Sequence, residues 1–310
     1  MTSRYIQAPG AVVMIRPHRF HPNPETAFDN AFQRTDGNLS AKELSKAAYK
    51  EVSAVATKLE SEGVRVHIFE DRGTKETPDS VFPNNWFSTH PGGHIALFPM
   101  FNPSRRRERR YDIIEMLKAE YRVQDVIDYS CLEYDDLFLE GTGAMVLDHI
   151  ARVAYTARSN RANPIPLERF CTHFNFEPMA FDSSDENGSS IYHTNVMMCM
   201  GTEFAMVGFD IISDPDRRAE IKARIAEMGR SVITLDNHQI NEFAGNAIEL
   251  CADNNRILAI STRAAASLSV EQKKIIEQSA KIVELSVPTI ELAGGSIRCM
   301  LAGIHLARRY

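Results

Sequence analysis

A unit of strand, loop, strand, strand and helix recurs along this 310-residue chain, and it restricts the fold more than any other feature. The stretch from Val64 to Glu120 displays the unit in full. Val64–Phe69 is largely apolar and reads as a strand, and a polar loop follows through Thr77-Pro78-Asp79. Val81–Thr89 is a second strand, Pro91-Gly92-Gly93 a turn, and His94–Phe98 a third strand. The spacing predicts a helix from Ser104 to Glu120, with Pro103 as its start signal.

The order repeats downstream. Val126–Tyr129, Leu137–Leu147 and Ala151–Ala157 read as strands, and Pro166–Phe174 as a short helix. Met179–Phe181, Tyr192–Met200, Phe204–Phe209 and a helix over Ser213–Gly229 form the next unit. Ser231–Leu235, Ala247–Cys251, a turn at Asp253-Asn254-Asn255, Arg256–Ser261 and a helix over Ser269–Ala280 form another. The last piece, Ile282–Ser286 and Ser296–Leu306, lacks a strand and a helix, which the N-terminus supplies as Ala11–Ile15 and Ala41–Leu59. Units that cannot bury their own faces stack or close into rings. The expectation is an α/β fold: a five-fold pseudosymmetric propeller, closed, with its last repeat shared by the two termini. Residues 1–310 read as one catalytic domain, with no linker dividing them.

In such a ring the loop after each unit's first strand faces the axis. Those loops hold Asp79 with Asn84 and Asn85; Glu140; His193 with Asn195; Asn241, Glu242 and Asn246; and Cys299. Cys, His and Glu at equivalent positions of three repeats supply the nucleophile, base and orienting acid of thiol catalysis. Cys299 follows Gly294 and Gly295 and sits beside Arg298, a cation that favours the thiolate. Away from the repeat, a buried core thiol and a core histidine are the plainer readings of Cys299 and His193.

A net charge of −6 gives no sign of nucleic acid or an anionic membrane as partner. The basic run from Arg105 to Arg110 opens the predicted helix and reads as a solvated face. There is no signal-peptide pattern and no long apolar stretch. Five cysteines without a Cys-x-x-Cys fit neither a disulfide framework nor a zinc ribbon, so a reducing cytoplasm is expected. His90 and His94 flank a glycine turn with no further ligand near, and read as solvated turn residues.

Several short phrases resemble the pentein superfamily, the group of arginine and agmatine deiminases, dimethylarginine hydrolase and amidinotransferases. They are Pro78-Asp79-Ser80-Val81-Phe82, Glu140-Gly141-Thr142-Gly143, Ala157-Arg158-Ser159-Asn160, a His opening the fourth loop, and a C-terminal Cys. The first, followed by Pro103-Ser104-Arg105-Arg106, is similar to dimethylarginine hydrolase. Phe82-Pro83-Asn84-Asn85-Trp86, Tyr192-His193-Thr194-Asn195 and Glu242-Phe243-Ala244-Gly245-Asn246 are similar to the citrulline-utilisation branch of amidinotransferase-like hydrolases. The resemblance implies Cys299 as nucleophile, His193 as general acid and base, and Glu140 as the acid that orients it. It implies Asp79 as a substrate-binding carboxylate. Arg158 becomes the clamp on the substrate's α-carboxylate; a surface ion pair is its other reading. Asn246 receives no role.

The departures from the pattern point to the substrate. Asn84 and Asn85 stand where guanidine-binding relatives carry acids, Asn195 replaces another acid, and an arginine near Phe98–Met100 is missing. Amides in place of carboxylates suit a neutral ureido group, which offers a carbonyl and N–H donors. A buried guanidinium needs counter-charge. Asn84, Asn85 and Asn195 are therefore expected to bind substrate. The small-molecule partner is expected to be citrulline, hydrolysed to ornithine, ammonia and carbon dioxide without metal or other cofactor. Arginine deimination, dimethylarginine-type hydrolysis, amidino transfer and a non-enzymatic binding propeller remain the alternatives, and the oligomeric state stays open.

Overall fold

The computed structural model describes residues 7–34, 39–186, 188–253 and 255–309. The chain opens with β1 (Ala11–Pro17) and β2 (Arg65–Asp71). Then β3 (Phe87–His90), β4 (His94–Leu97) and β5 (Asp125–Asp128) form one sheet, and β6 (Met145–Asp148), β7 (Val153–Ala157) and β8 (Glu177–Phe181) the next. β9 (Met198–Met200), β10 (Phe204–Val207) and β11 (Ser231–Thr234) follow, then β12 (Ile248–Ala252), β13 (Asn255–Ser261) and β14 (Lys281–Leu285). Finally β15 (Ala302–Gly303) returns to β1, pairing Val12 with Gly303 and Val13 with Ala302. The result is five three-stranded sheets, the fifth assembled from both ends of the chain in the order β15-β1-β2.

Every sheet has the same topology. The first two strands pair antiparallel, and the middle and outer strands pair parallel. A parallel pair requires a crossover, which is why a helical segment separates the middle strand from the outer one each time. The crossover from β1 to β2 is the helix Ala41–Ser61, started by a capping box in which Ser40 and Glu43 exchange hydrogen bonds. Pro164–Phe174 and Pro215–Ala226 start on Asn163 and Asp214, whose side chains accept from the first-turn N–H groups. In β3, β6 and β9 every residue is buried, whereas β5 and β11 keep exposed positions. The apolar core therefore lies along the first and middle strands, under the helices.

Two local expectations need correction. The helix expected over Ser104–Glu120 is broken into Pro103–Arg106 and Tyr111–Glu120. The intervening arginines reach back to loop carbonyls: Arg107 donates to Lys75 and Glu76, and Arg109 to Phe98. A continuous helix could not make those bonds. The first strands also begin later than expected. Val81–Thr89, Leu137–Leu147 and Tyr192–Met200 are strands only at their ends, because the helical turns Pro83–Asn85, Gly141–Ala144 and Thr194–Val196 come first. The turn expected at residues 253–255 includes Asn254, which lies outside the described residues. Among the described residues no helix is long and apolar enough to cross a membrane.

Candidate active site

The helical turns that shorten the first strands also build the site. Asn84 and Asn85 lie in Pro83–Asn85, Glu140 immediately precedes Gly141–Ala144, His193 immediately precedes Thr194–Val196, and Cys299 lies in Ile297–Met300. In the fourth contiguous repeat Asn246 precedes β12 at the matching place. The turns pack tightly. A Cβ on Gly143 would fall 2.2 Å from the Asn85 amide and 2.8 Å from His193 Nδ1, so a side chain there would displace both. Cys299, His193 and Glu140 are 2%, 1% and 0% exposed.

Around the sulfur the donors are amides. Asn246 Nδ2 lies 3.2 Å and Asn195 Nδ2 3.4 Å from Cys299 Sγ. Burial raises the Cys299 thiol above its ordinary value. The Asn246 amide, the Ser296 backbone, the Asn195 amide and Arg298 pull the other way, Arg298 least. The cation beside the cysteine is thus the weakest of the influences favouring thiolate, and desolvation outweighs them all.

His193 Nε2 stands 2.8 Å from Glu140 Oε2. Burial lowers the imidazole to about 4, against the upward pull of Glu140. Burial also pushes the Glu140 carboxyl up, but Arg161, the His193 hydrogen bond and Arg105 more than offset it and hold it at about 2. At neutral pH the pair is therefore neutral imidazole donating Nε2–H to a carboxylate. That leaves Nδ1 as the free base.

Two arginines complete the site. Arg105 Nη1 lies 3.6 Å from Glu140 Oε2 and Arg105 Nε 3.9 Å from Asp79 Oδ2. Arg105 also forks onto Glu108 with two 3.0 Å bonds. With its amide oxygen assigned toward Arg105, Asn85 accepts from Nη1 and Nη2 at 2.7 and 3.1 Å. Arg161 forks onto Asp29, lies 3.7 Å from Glu140 Oε2 and stacks over the Tyr192 ring. Asp79 accepts from Asn23 Nδ2 at 2.8 Å, while its buried Oδ1 has no hydrogen-bond partner among the described residues.

Of the residues expected in the site, Asp79, Asn85, His193 and Cys299 line one pocket, and Glu140 reaches it through His193. Asn84 and Asn195 lie under the thiol instead: Asn84 Nδ2 donates to the Cys299 carbonyl at 2.7 Å, and Asn195 Nδ2 sits 3.4 Å from Asn84 Oδ1. Arg158 does not enter. It is exposed and donates to Asp182 at 3.0 Å, the surface ion pair that was its other reading. A turn after β7 sends Arg161 inward in its place, with Arg161 N–H bound to Ser159 Oγ. Arg105, expected on a solvated face, is 2% exposed and lines the pocket. His90 is likewise buried rather than solvated, bonded to Ser88 and packed on Phe174. Glu108, three residues after Arg105, is a local partner, but Glu140, Asp79 and Asp29, which draw Arg105 and Arg161 into the site, are far away in the chain.

Asn246 acquires a function the sequence did not provide. Its Oδ1 accepts from the N–H groups of Ser296 and Cys299, at 3.1 and 3.4 Å, while its Nδ2 meets the sulfur. Asn246→Ala should leave the buried Ser296 N–H without its acceptor, at about 1–3 kcal/mol, while the Cys299 N–H keeps the Ser296 carbonyl at 3.1 Å. The expected outcome is a tenfold or larger fall in kcat, about 1.4 kcal/mol on the barrier, with iodoacetamide labelling of Cys299 shifted to higher pH. An unchanged labelling profile would remove Asn246 from the thiol's environment.

The chain matches the family model described as N,N dimethylarginine dimethylhydrolase, eukaryotic, over residues 16–306. No curated protein is similar enough to match it. Among solved structures, the apo form of ArgZ, an arginine dihydrolase from the ornithine-ammonia cycle in cyanobacteria, aligns with a TM-score of 0.72 at 19% identity. The alignment covers 96% of this chain and 40% of ArgZ, so the chain spans well under half of that enzyme's length. The N-terminal domain of ArgZ bound to substrate gives 0.72 at 18% identity, covering 96% and 98%. A dimethylarginine dimethylaminohydrolase in adduct with S-methyl-L-thiocitrulline gives 0.63 at 13% identity, covering 96% and 98%. At these identities the likeness to the solved structures is one of fold.

Proposed function

Because the chain belongs to the N,N dimethylarginine dimethylhydrolase family of the pentein superfamily, we propose that it is a cysteine hydrolase of a ureido amino acid, with citrulline as substrate. The five sheets are read as blades of one closed ring and residues 1–310 as a single catalytic domain. The observation that carries the substrate choice is the pairing of the site's own charges. Both carboxylates able to greet a guanidinium, Asp79 and Glu140, already face Arg105, and Glu140 faces Arg161 as well. Arg105 and Arg161 also hold Glu108 and Asp29. Of the described residues lining the pocket, however, Asp79 is the one carboxylate and Asn85 adds no charge, which leaves little to balance a second buried cation. A neutral ureido group needs no such balance.

In this reading Cys299 gives its proton to the neutral His193 and attacks the ureido carbon. His193 returns a proton to the leaving nitrogen, and an S-linked intermediate remains. Water then adds to the carbon, the C–S bond breaks, and the resulting carbamate falls apart. One water is consumed per citrulline, and ornithine, ammonia and carbon dioxide are produced. Asp79 Oδ1 is the free acceptor for a substrate N–H. All five cysteines are free thiols, which supports a reducing compartment such as the cytoplasm.

The test is kcat/KM for citrulline, arginine and N,N-dimethylarginine, with ammonia, dimethylamine, citrulline and ornithine assayed, in the presence and absence of an acceptor amine. Citrulline is expected to lead by about tenfold or more, equivalent to 1.4 kcal/mol, and the acceptor to have no effect. Asn85→Asp, which adds an acid beside Arg105, should narrow that lead. Asn84 is unsuited to the same swap, because its amide donates to Cys299. A preference for arginine or its methylated form would mean that Asp79 and Glu140 still command the pocket. The guanidino hydrolase reading would then replace this one.

A further inference from the structure

Behind Cys299, on the side away from the substrate pocket, lies a second cavity. Its wall takes one residue or more from the first strand of all five sheets, among them Ser88 of β3, Val146 of β6, Cys199 of β9, Glu249 of β12 and Gly303 of β15. Each of these strands leaves a segment that carries a site residue and runs on from it. The cavity is therefore the axial continuation of the site. Thr142 and Arg298 stand at its near end and are part-exposed, although Cys299, next to Arg298, is 2% exposed.

The walls suit water. Glu249 Oε1 and His149 Nδ1 are buried without a hydrogen-bond partner among the described residues, and both residues line the cavity. Ser88, Thr89 and Thr142 also line it, and a polar space of about 50 Å³ has room for ordered water. Between the cavity and the site stands one layer of side chains. Asn84 holds the Cys299 carbonyl, Thr142 Oγ1 lies 3.2 Å from Asn84 Oδ1, and Asn195 Nδ2 lies 3.4 Å from both Asn84 Oδ1 and the sulfur.

The front of the site is covered. Asn23 bonds Asp79 at 2.8 Å, Asn30 bonds the Ala293 carbonyl at 3.2 Å, and Arg34 N–H bonds the Leu292 carbonyl at 2.9 Å. With that segment hydrogen-bonded across the front, the axial cavity offers a second way for water to reach the S-linked carbon.

We infer that the axial cavity is the water supply for the second half of the reaction. Water crosses the amide layer, its oxygen bonds to the S-linked carbon, its proton passes to His193, and Cys299 departs as thiolate. The inference rests on the hydrolase reading above. Narrowing the cavity should leave formation of the intermediate alone and slow its breakdown. Val146→Phe and Cys199→Phe narrow it by two independent routes, and Val146→Leu and Cys199→Leu do so more mildly. Cys199→Ser keeps the cavity open. Rapid acid quench and intact-protein mass spectrometry, with citrulline and with arginine, read formation and breakdown separately. Folding is checked by circular dichroism. The expected result is breakdown slowed about tenfold in a folded Phe variant, less in the Leu variants and not at all in Cys199→Ser, with adduct accumulating accordingly. Folded Phe or Leu variants that clear the adduct at the wild-type rate, or that slow its formation instead, overturn the inference. A wild-type protein that neither turns over nor forms adduct with either substrate overturns the hydrolase reading itself.

Discussion

Cys299→Ala is expected to remove turnover, with a fall in kcat of roughly four to six orders of magnitude, while the fold stays intact. The side chain is small and buried, and the Asn195 and Asn246 amides that meet it keep other acceptors, Asn84 Oδ1 and the Asn195 carbonyl. His193→Ala is expected to cost about as much, because nucleophile and base act as one unit and their losses do not add. The pH dependence follows from the same burial. With the thiol raised and the imidazole lowered to about 4, the free enzyme at neutral pH holds a thiol and a neutral base. Alkylation of Cys299 should accelerate as pH rises through the raised thiol. Protonation of His193 should matter only in acid, near pH 4. Retention of more than a few per cent of activity by Cys299→Ala, with native circular dichroism, would end the nucleophile assignment.

Glu140→Gln is the second large effect. Glu140 is the counter-charge for the imidazolium that forms when His193 accepts a proton, and it is held ionised by Arg161, His193 and Arg105. Gln keeps the shape and can accept from Nε2–H, but it brings no charge. Loss of general acid–base assistance costs roughly 10²–10⁴-fold, so kcat should fall into that range with KM little changed. The fold should survive, because Arg105 keeps Glu108 and Arg161 keeps Asp29 when Glu140 is neutralised. Removing the only partner of a buried charge would be far more damaging, about 3–5 kcal/mol. A change confined to KM would recast Glu140 as a substrate ligand.

Much of this arrangement was open to inspection in the chain. Strand and turn patterns are local, so the recurrence of the unit and the sharing of the last repeat by the two ends could be read from apolar runs and glycine turns. The positions of Glu140, His193 and Cys299 at equivalent points of the repeat needed nothing beyond that count. The starts of the first strands were misjudged, because a single helical turn such as Thr194–Val196 is too short to impose a period on an apolar run. Arg161 takes the inward place expected of Arg158 for another reason. Both follow β7 within a few residues, and only the turn at Ser159 decides which guanidinium points inward. Arg105 looked like one of five arginines in a solvated run until Glu108, Glu140 and Asp79 were found around it.

The sequence by itself determined the order of elements, the five-fold recurrence and which residue types stand at the repeat's equivalent positions, since propensity, alternation and turn chemistry act over a few residues. The tertiary structure alone decided what those residues are chemically. Cys299 is a protonated thiol, His193 a neutral base and Glu140 an anion because each is stripped of water and set a few ångströms from partners 50 or more residues distant, such as Asn246 for the thiol and His193 for the acid. Desolvation and Coulomb interaction depend on distance in space. No spacing along a chain encodes that until the chain has folded.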